Sequence, residues 1–199
     1  MRHFILPVDD GIGMIRQTLE KHGLAEDTIV WFFSDNGAAR GNWTNSENTR
    51  GSKGSMSEGG QRVPAGVWGP GRIPAGTVSD ELILTCDLMP THLELAGVKA
   101  PDGHLFDGIN VSDALFKGAK LPPMMRYWNM GNAGAMRDGS WKLVVKNGNC
   151  KLYNLANDHK EAEDLAAEHP ERVQSMRSQY ESWLSEVRAD SPYASMSKR

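Results

Sequence analysis

The uncharged stretch from Thr28 to Ser34 constrains the fold more than any other part of this sequence. Its residues are β-branched or aromatic up to Phe33, and this composition predicts a buried strand. The segment before it predicts an amphipathic helix over residues 9–22, because apolar residues recur there at helical spacing: Val8, Ile12, Ile15 and Leu19. Gly23 can end that helix in a left-handed conformation. A helix followed by a buried strand is half of a βαβ unit, so the sequence predicts an α/β fold.

A polar loop rich in Gly, Asn and Ser follows the predicted strand, over residues 36–62. Asp35 and Asn36 would lie at the carboxyl end of a parallel strand, where α/β sheets place their ligands. Their oxygens suit Ca²⁺ or Mg²⁺. The alternative is an ordinary turn, because Asp-Asn-Gly is also a common Asx-turn sequence. Two adjacent ligands cannot complete a calcium shell of about 6–8 oxygens, so further carboxylates must come from elsewhere.

Lys53 is the candidate anion-binding residue of this loop. It stands between glycines in Arg50-Gly51-Ser52-Lys53-Gly54, which let the backbone approach a ligand, and its ammonium suits a sulfate or phosphate oxygen. The alternative is a solvated lysine in a flexible loop. Glu58 and Arg62 could supply a carboxylate partner and a second cation, or they could belong to a structural salt bridge near the start of a strand.

Two further elements are predicted before the middle of the chain. Val63–Trp68 predicts a short strand. Asp87 predicts the start of a helix that runs to Ala96 and ends at Gly97. Residues 99–123 contain several Pro and Gly and predict a connecting segment.

The rest of the chain predicts a small antiparallel sheet followed by a helix. Four short runs separated by Gly and Asn turns carry strand-forming residues: Met125–Met130, Gly134–Arg137, Trp141–Lys146 and Leu152–Leu155. Residues 160–188 predict a helical region, with Pro170 as a candidate break, whose apolar stripe packs on that sheet. The sequence therefore predicts two domains. Residues 1–110 form part of an α/β domain, and residues 111–199 form a small α+β subdomain.

Composition argues against several kinds of partner and site. The net charge of -3 gives no reason to expect a nucleic-acid partner, and no apolar run reaches membrane-spanning length. Cys86 and Cys150 make neither a disulfide framework nor a zinc site, and the six histidines show no metal-ligand spacing. Met1–Asp10 is not a signal peptide, because acidic residues interrupt its apolar region. A longer precursor could carry one upstream and be secreted or periplasmic.

The short motifs are more specific as an ordered set than singly, and the set resembles the C-terminal portion of the type I sulfatase family. The resemblance runs from residue 8 to residue 185. It rests on these motifs, in this order: Asp9-Asp10-Gly11-Ile12-Gly13, Gly23-Leu24, Ser34-Asp35-Asn36-Gly37, Arg50-Gly51-x-Lys53-Gly54, Glu58-Gly59-Gly60-x-Arg62-Val63-Pro64, Pro70-Gly71, Asp87-x-x-Pro90-Thr91, Leu95-Ala96-Gly97, Asp107-Gly108, Arg137-x-Gly139-x-Trp141-Lys142, Leu152-Tyr153-Asn154-Leu155 and Asn157-Asp158.

The resemblance implies the end of an alkaline-phosphatase-like sheet domain, followed by a small antiparallel sheet and a C-terminal helix. Members of this family hydrolyse sulfate esters through a formylglycine made from a cysteine or serine, with a bound Ca²⁺ (Mg²⁺ is the alternative) that polarises the sulfate. By match to the motifs, Asp35 and Asn36 would be metal ligands. Lys53 would contact the sulfate of the substrate and neutralise charge as the ester bond breaks.

The sequence departs from the family pattern at the nucleophile. It contains neither Cys-x-Pro-x-Arg nor Ser-x-Pro-x-Arg, so we expect the formylglycine segment to lie upstream of Met1 and the isolated chain to be inactive. The two carboxylates that complete the family's metal site are also missing, which would leave the site incomplete. Strand edges left unpaired predict self-association.

Two other functions remain open from the sequence. The first is a related metal-dependent phosphatase or phosphonate hydrolase. Enzymes of these classes also carry an aspartate at the end of a strand, as this sequence does at Asp35. The single lysine of the loop favours a sulfate ester over that alternative. The second is a non-catalytic remnant that binds an anionic ligand or serves only as a structural module.

Overall fold

The computed structural model describes residues 2–39 and 49–190, and it divides into two compact units. The first unit comprises Met1–Phe32 and Ala65–Pro122, and the second comprises Phe33–Pro64 and Pro123–Arg199. The units are interleaved along the sequence, whereas the predicted domains, residues 1–110 and 111–199, are continuous. That domain assignment stays a prediction. The loop with Asp35, Asn36 and Lys53 falls in the same compact unit as the C-terminal sheet.

The first unit begins with helix α1, Arg2–Lys21. Its start is earlier than the predicted residue 9, because Pro7 is accommodated inside the helix. Pro7 is the sixth residue of α1, beyond the first four whose N–H groups lack helical partners, so it costs the helix one internal hydrogen bond. After α1, Gly23 adopts the left-handed conformation expected of a helix end (φ 67°).

Strands β1, Val30–Phe33, and β2, Ala65–Trp68, form a two-stranded sheet. Both predicted strands are present and shorter than expected. The expectation that the first one is buried was wrong: Val30 and Trp31 are half-buried, and Phe32 and Phe33 are exposed. A sheet of two strands covers little of its own surface, so apolar composition alone does not bury such a strand.

Helix α2 is a single turn, Glu58–Gln61, and helix α3 runs over Leu88–Leu95. Asp87 stands at the start of α3, as predicted, but its carboxylate makes no side-chain cap to that helix. Instead it accepts hydrogen bonds from the backbone N–H of Leu84 (2.7 Å) and of Ile109 (2.9 Å). This buried side chain therefore fixes the segment that leads into helix α4, Ser112–Lys117, which lies inside the predicted connection.

The second unit is built on a four-stranded antiparallel sheet whose strands follow chain order. The prediction of four strands here is confirmed, with small differences at their ends: β3 Met125–Met130, β4 Ala133–Asp138, β5 Trp141–Lys146 and β6 Asn149–Asn154. Helix α5, Pro170–Asp190, packs on the sheet. It begins at Pro170, the candidate break, and not at residue 160, since proline is favoured at a first helical position and disfavoured within a helix.

The two faces of this sheet have different chemistry. One row across the strands pairs Tyr127, Met136, Leu143 and Leu152 in direct register, and it forms the apolar core with Met176 and Tyr180 of α5. The next row pairs Arg126, Arg137, Lys142 and Tyr153. Since side chains alternate along a strand, this second row lies on the face away from α5.

In the part of the chain that the structure describes, no helix combines the length and apolar character needed to cross a membrane.

Candidate functional site

The segment after β1 lies beside the segment around α2, and three glycines make the approach possible. The backbone N–H of Gly37 donates to the carbonyl of Gly60 (3.0 Å). A Cβ on Gly37 would collide with the carbonyl of Gly59, and one on Gly59 would lie 2.6 Å from the carbonyl of Arg50. Backbone thus packs directly on backbone here. The glycines of Asp-Asn-Gly and Glu-Gly-Gly are therefore required because a side chain would clash with neighbouring backbone, and not by turn geometry alone.

Asp35 and Asn36 lie at the end of β1, as predicted. Asp35 is exposed and Asn36 is half-buried. The backbone carbonyl of Asn36 accepts a hydrogen bond from the hydroxyl of Ser34 (2.9 Å). Neither the carboxylate of Asp35 nor the side-chain amide of Asn36 bonds to another described residue. Their oxygens are therefore available to a ligand from outside the described chain.

Lys53 is joined to this strand end through its backbone. Its N–H donates to the carbonyl of Ala38 at 2.8 Å. The side chain is exposed, and its ammonium pairs with no carboxylate among residues 2–39 and 49–190. The fold thus brings the three predicted site residues onto adjoining backbone segments. Among the described residues, the Lys53 ammonium can contact solvent or an added anion.

Glu58 belongs to a buried cluster of charges. The ammonium of Lys142 lies 2.7 Å from Oε1 of Glu58 and 3.1 Å from Oε1 of Glu161. The second carboxylate oxygen of Glu161 accepts a hydrogen bond from the backbone N–H of Glu58 (2.9 Å). Lys142 and Glu161 are fully buried and Glu58 is 5% exposed. Of the two roles open to Glu58 from sequence, the structural salt bridge is the one the contacts favour, with Lys142 and not Arg62 as partner.

Arg50 attaches the start of the same loop. Its Nη1 donates to the backbone carbonyl of Glu161 (2.9 Å) and to the hydroxyl of Tyr153 (3.4 Å). The pKa of Tyr153 is raised, first because burial disfavours its phenolate; the nearby Arg50 opposes that change. A neutral hydroxyl is thereby kept beside the guanidinium.

Arg137 completes the charged face of the sheet. Its Nη2 donates to the carbonyl of Gly139 (3.1 Å), while its buried Nε has no hydrogen-bond partner among the described residues. Burial lowers the pKa of this guanidinium, and the Glu58 carboxylate opposes the shift while Arg62 adds to it. The guanidinium remains a permanent cation next to the loop.

Asp35 and Asn36 stay candidate metal ligands, and the described residues group no further ligands into a cluster with them. No group of three or more His, Cys, Asp or Glu side chains that could hold a metal is found within residues 2–39 and 49–190. The open oxygens of Asp35 and Asn36 are the right donor type for a hard divalent cation, but two ligands leave most of a calcium shell unfilled.

Comparison with known proteins identifies the family. A family model described as Sulfatase matches residues 2–98. N-acetylgalactosamine-6-sulfatase from Mus musculus is 36% identical over 139 residues, which are 68% of this chain and 27% of that protein. The chain belongs to the sulfatase family. The resemblance read from the sequence motifs is confirmed, and this chain spans about a quarter of the length of that relative.

Solved structures agree with this assignment. The PsFucS1 sulfatase from Pseudoalteromonas sp. superposes with a TM-score of 0.79 at 26% identity, covering 92% of this chain and 42% of that one. The phosphonate monoester hydrolase SpPMH from Silicibacter pomeroyi gives a TM-score of 0.63 at 18% identity, over 86% of this chain and 37% of that one, and shares the fold alone. The alkaline-phosphatase-like α/β class with a small sheet-and-helix part is confirmed. Sulfatases as a family use a divalent metal.

Two residues of the buried cluster had no role assigned from sequence. Lys142 stands in the motif Arg137-x-Gly139-x-Trp141-Lys142, and a lysine inside an apolar strand is a signal for a buried ion pair. Glu161 gave no signal, because it lies in a run of charged residues that predicts a solvated surface.

Proposed function

We propose that this chain carries the part of a sulfatase active site that holds the divalent metal and the sulfate group of the substrate. Asp35 and Asn36 would ligate Ca²⁺, with Mg²⁺ as the alternative, and Lys53 would bind the sulfate. When bound, the metal supplies a Lewis acid that polarises the sulfate ester. The reaction class is hydrolysis of a sulfate ester, carried out by a protein that also supplies the formylglycine nucleophile.

The hydrogen bond from Lys53 N–H to the carbonyl of Ala38 is the observation that carries this proposal. It ties the segment of Lys53, whose ammonium pairs with no described carboxylate, to the segment of Asp35 and Asn36, whose side chains bond to no other described residue. A lysine on the segment next to the candidate metal ligands suits a sulfate group, because its ammonium would neutralise an anionic oxygen of that group.

The role of Lys53 would be electrostatic. Its ammonium neutralises negative charge that grows on the sulfate and the leaving oxygen as the ester bond breaks. The flanking glycines Gly51 and Gly54 both have positive φ (87° and 84°), so the backbone on either side of Lys53 takes a conformation open to glycine and strained for other residues.

A phosphonate or phosphate ester is the second candidate substrate class. The shared fold with a phosphonate monoester hydrolase favours it weakly. A phosphate monoester carries more negative charge than a sulfate monoester, and the one lysine of this loop matches the smaller charge better. A phosphonate monoester carries the same single charge as a sulfate monoester, and there the match to the sulfatase family favours sulfate. The sulfate ester therefore remains the proposed substrate class.

Calorimetric titration of the chain with CaCl₂, followed by Na₂SO₄, tests the proposed site. We expect Asp35→Asn to weaken calcium binding and Lys53→Met to weaken sulfate binding. Asp102→Asn and Lys99→Met are the matched controls, because both residues are exposed in the other compact unit. Equal binding by Asp35→Asn and wild type would refute the metal assignment, and equal sulfate binding by Lys53→Met would refute the role of Lys53.

A further inference from the structure

Both ends of the segment that carries Lys53 are bound to one residue, Glu161. Arg50, at the start, donates to the backbone carbonyl of Glu161, and Glu58, near the end, donates its backbone N–H to the Glu161 carboxylate. The two ends also meet each other, since the N–H of Gly59 donates to the carbonyl of Arg50 at 2.7 Å. Residues 50–59 therefore form a closed loop of the Ω type, which we call the Lys53 loop.

We propose that Glu161 and Lys142 are positioning residues, which hold the Lys53 loop in the geometry needed to bind an anion. The proposal rests on the function proposed above for Lys53. Neither residue contacts Lys53 in the described structure. They act through the backbone ends of the loop, and so fix where its ammonium can reach.

The burial of this cluster couples its three charged side chains to one another. The carboxylates of Glu58 and Glu161 share the ammonium of Lys142 in a place with almost no solvent exposure. Charges in such a place cannot be compensated by water, so a change at one member is felt by the others. Replacing the Glu161 carboxylate by an amide removes the negative charge that pairs with Lys142 and leaves only a neutral oxygen to accept the Glu58 N–H.

The backbone of Glu161 is itself constrained. It has a φ of 51°, which few residues other than glycine adopt and which is found where surrounding contacts enforce it. Glu161 uses its carbonyl for Arg50 and its carboxylate for Glu58 and Lys142. Glu161 thus adopts a left-handed conformation at the position where it contacts both ends of the Lys53 loop.

The apolar core of the same unit does not depend on these contacts. Met136, Leu143 and Leu152 face α5, whereas Lys142 faces the loop. Loss of Glu161 should therefore release the Lys53 loop while the sheet and α5 remain packed. A purely structural residue would instead weaken the loop and the sheet together.

Residue-resolved hydrogen exchange by NMR on the whole chain tests this inference. In Glu161→Gln we expect the amides of Lys53 and Gly59 to exchange about tenfold faster or more, with a smaller rise at the amides of β3–β6. Glu163→Gln is the matched control, because Glu163 is exposed two positions away. Unchanged exchange in the loop of Glu161→Gln, or an equal rise in the loop and the sheet, would overturn the positioning role.

Arg50→Ala keeps the test open if Glu161→Gln fails to fold. Arg50 is exposed, so its loss releases the start of the loop without breaking the buried cluster. We expect faster exchange at Gly59, whose acceptor is the Arg50 carbonyl, and at Lys53. Exchange at both amides equal to that of wild type would contradict attachment of the loop through Glu161.

Sulfate titration separates the positioning role from general stability and from the proposed function. We expect Na₂SO₄ to shift the Lys53 amide signal in wild type, and Glu161→Gln to need about tenfold more sulfate for the same shift. Tyr180→Phe, a core variant remote from the loop in sequence, should lose stability and keep the sulfate-induced shift of the Lys53 amide signal.

An equal loss of this shift in Tyr180→Phe would overturn the positioning role of Glu161 and Lys142. Absence of any shift in wild type, together with a released loop in Glu161→Gln, would refute the sulfate site and uphold attachment of the loop.

Discussion

The ammonium of Lys142 lies 2.7 Å from the carboxylate of Glu58, a residue 84 positions earlier in the chain. This pair joins the loop that follows the first strand to the third strand of the C-terminal sheet. Glu161 adds a second carboxylate on the same ammonium. The Lys53 loop of this sulfatase-family chain is thus attached to the C-terminal sheet through buried charge.

We expect Lys142→Met to lower the free energy of unfolding by about 3–5 kcal/mol, because it leaves two buried carboxylates without their cation. Urea denaturation followed by circular dichroism measures the change. Lys146→Met is the control: Lys146 lies on the same strand and is exposed, so its loss should cost no more than about 0.5 kcal/mol. Equal midpoints for the two variants would show that the cluster contributes little to stability.

Gly37→Ala should separate the two site segments. The added Cβ would collide with the carbonyl of Gly59, and backbone cannot move aside as a side chain can, so we expect a loss of about 1–3 kcal/mol or more in the free energy of unfolding. Gly66→Ala is the matched control, since a Cβ there meets nothing within 4 Å. Thermal unfolding compares them. Equal unfolding temperatures for Gly37→Ala and Gly66→Ala would contradict direct packing of the Gly37 backbone on that of Gly59.

The C-terminal sheet could be predicted from sequence because its signals are local. Alternating strand residues are separated by tight turns at Gly131, Gly139 and Gly148, each with positive φ. Local signals also predicted the end of α1 at Gly23. They did not predict its start, because the helix continues through Pro7 to Arg2.

The charged cluster could not be predicted from sequence, because its contacts are not local. Its members, Glu58, Lys142 and Glu161, come from three distant parts of the chain, and pairing between distant segments leaves no periodic pattern. The same limit applies to burial. The uncharged composition of β1 predicted a buried strand, yet Phe32 and Phe33 are 44% and 37% exposed, because burial depends on what packs on the strand.

These exposed aromatic residues lead us to expect self-association of the chain. Further apolar side chains are exposed on α1, among them Ile5, Met14 and Ile15, and exposed strand edges and apolar patches promote pairing between copies. Light scattering over a concentration series should show a rising apparent mass. Phe32→Lys should lower it, whereas Val78→Lys, at an isolated exposed residue (91%), should not. A monomer at every concentration would contradict this expectation.

We expect no hydrolysis of 4-nitrophenyl sulfate by the chain alone, with or without CaCl₂. The sequence holds neither nucleophile motif of the family, and an electrostatic residue such as Lys53 stabilises a transition state that some nucleophile must first generate. Release of 4-nitrophenolate is measured for wild type and for Lys53→Met, and the rate of Lys53→Met is taken as the background. The same measurement is made with 4-nitrophenyl phosphate as a second substrate. Sulfate hydrolysis by wild type above the Lys53→Met background would show that the chain catalyses without formylglycine, whereas turnover confined to the phosphate ester would favour a phosphatase.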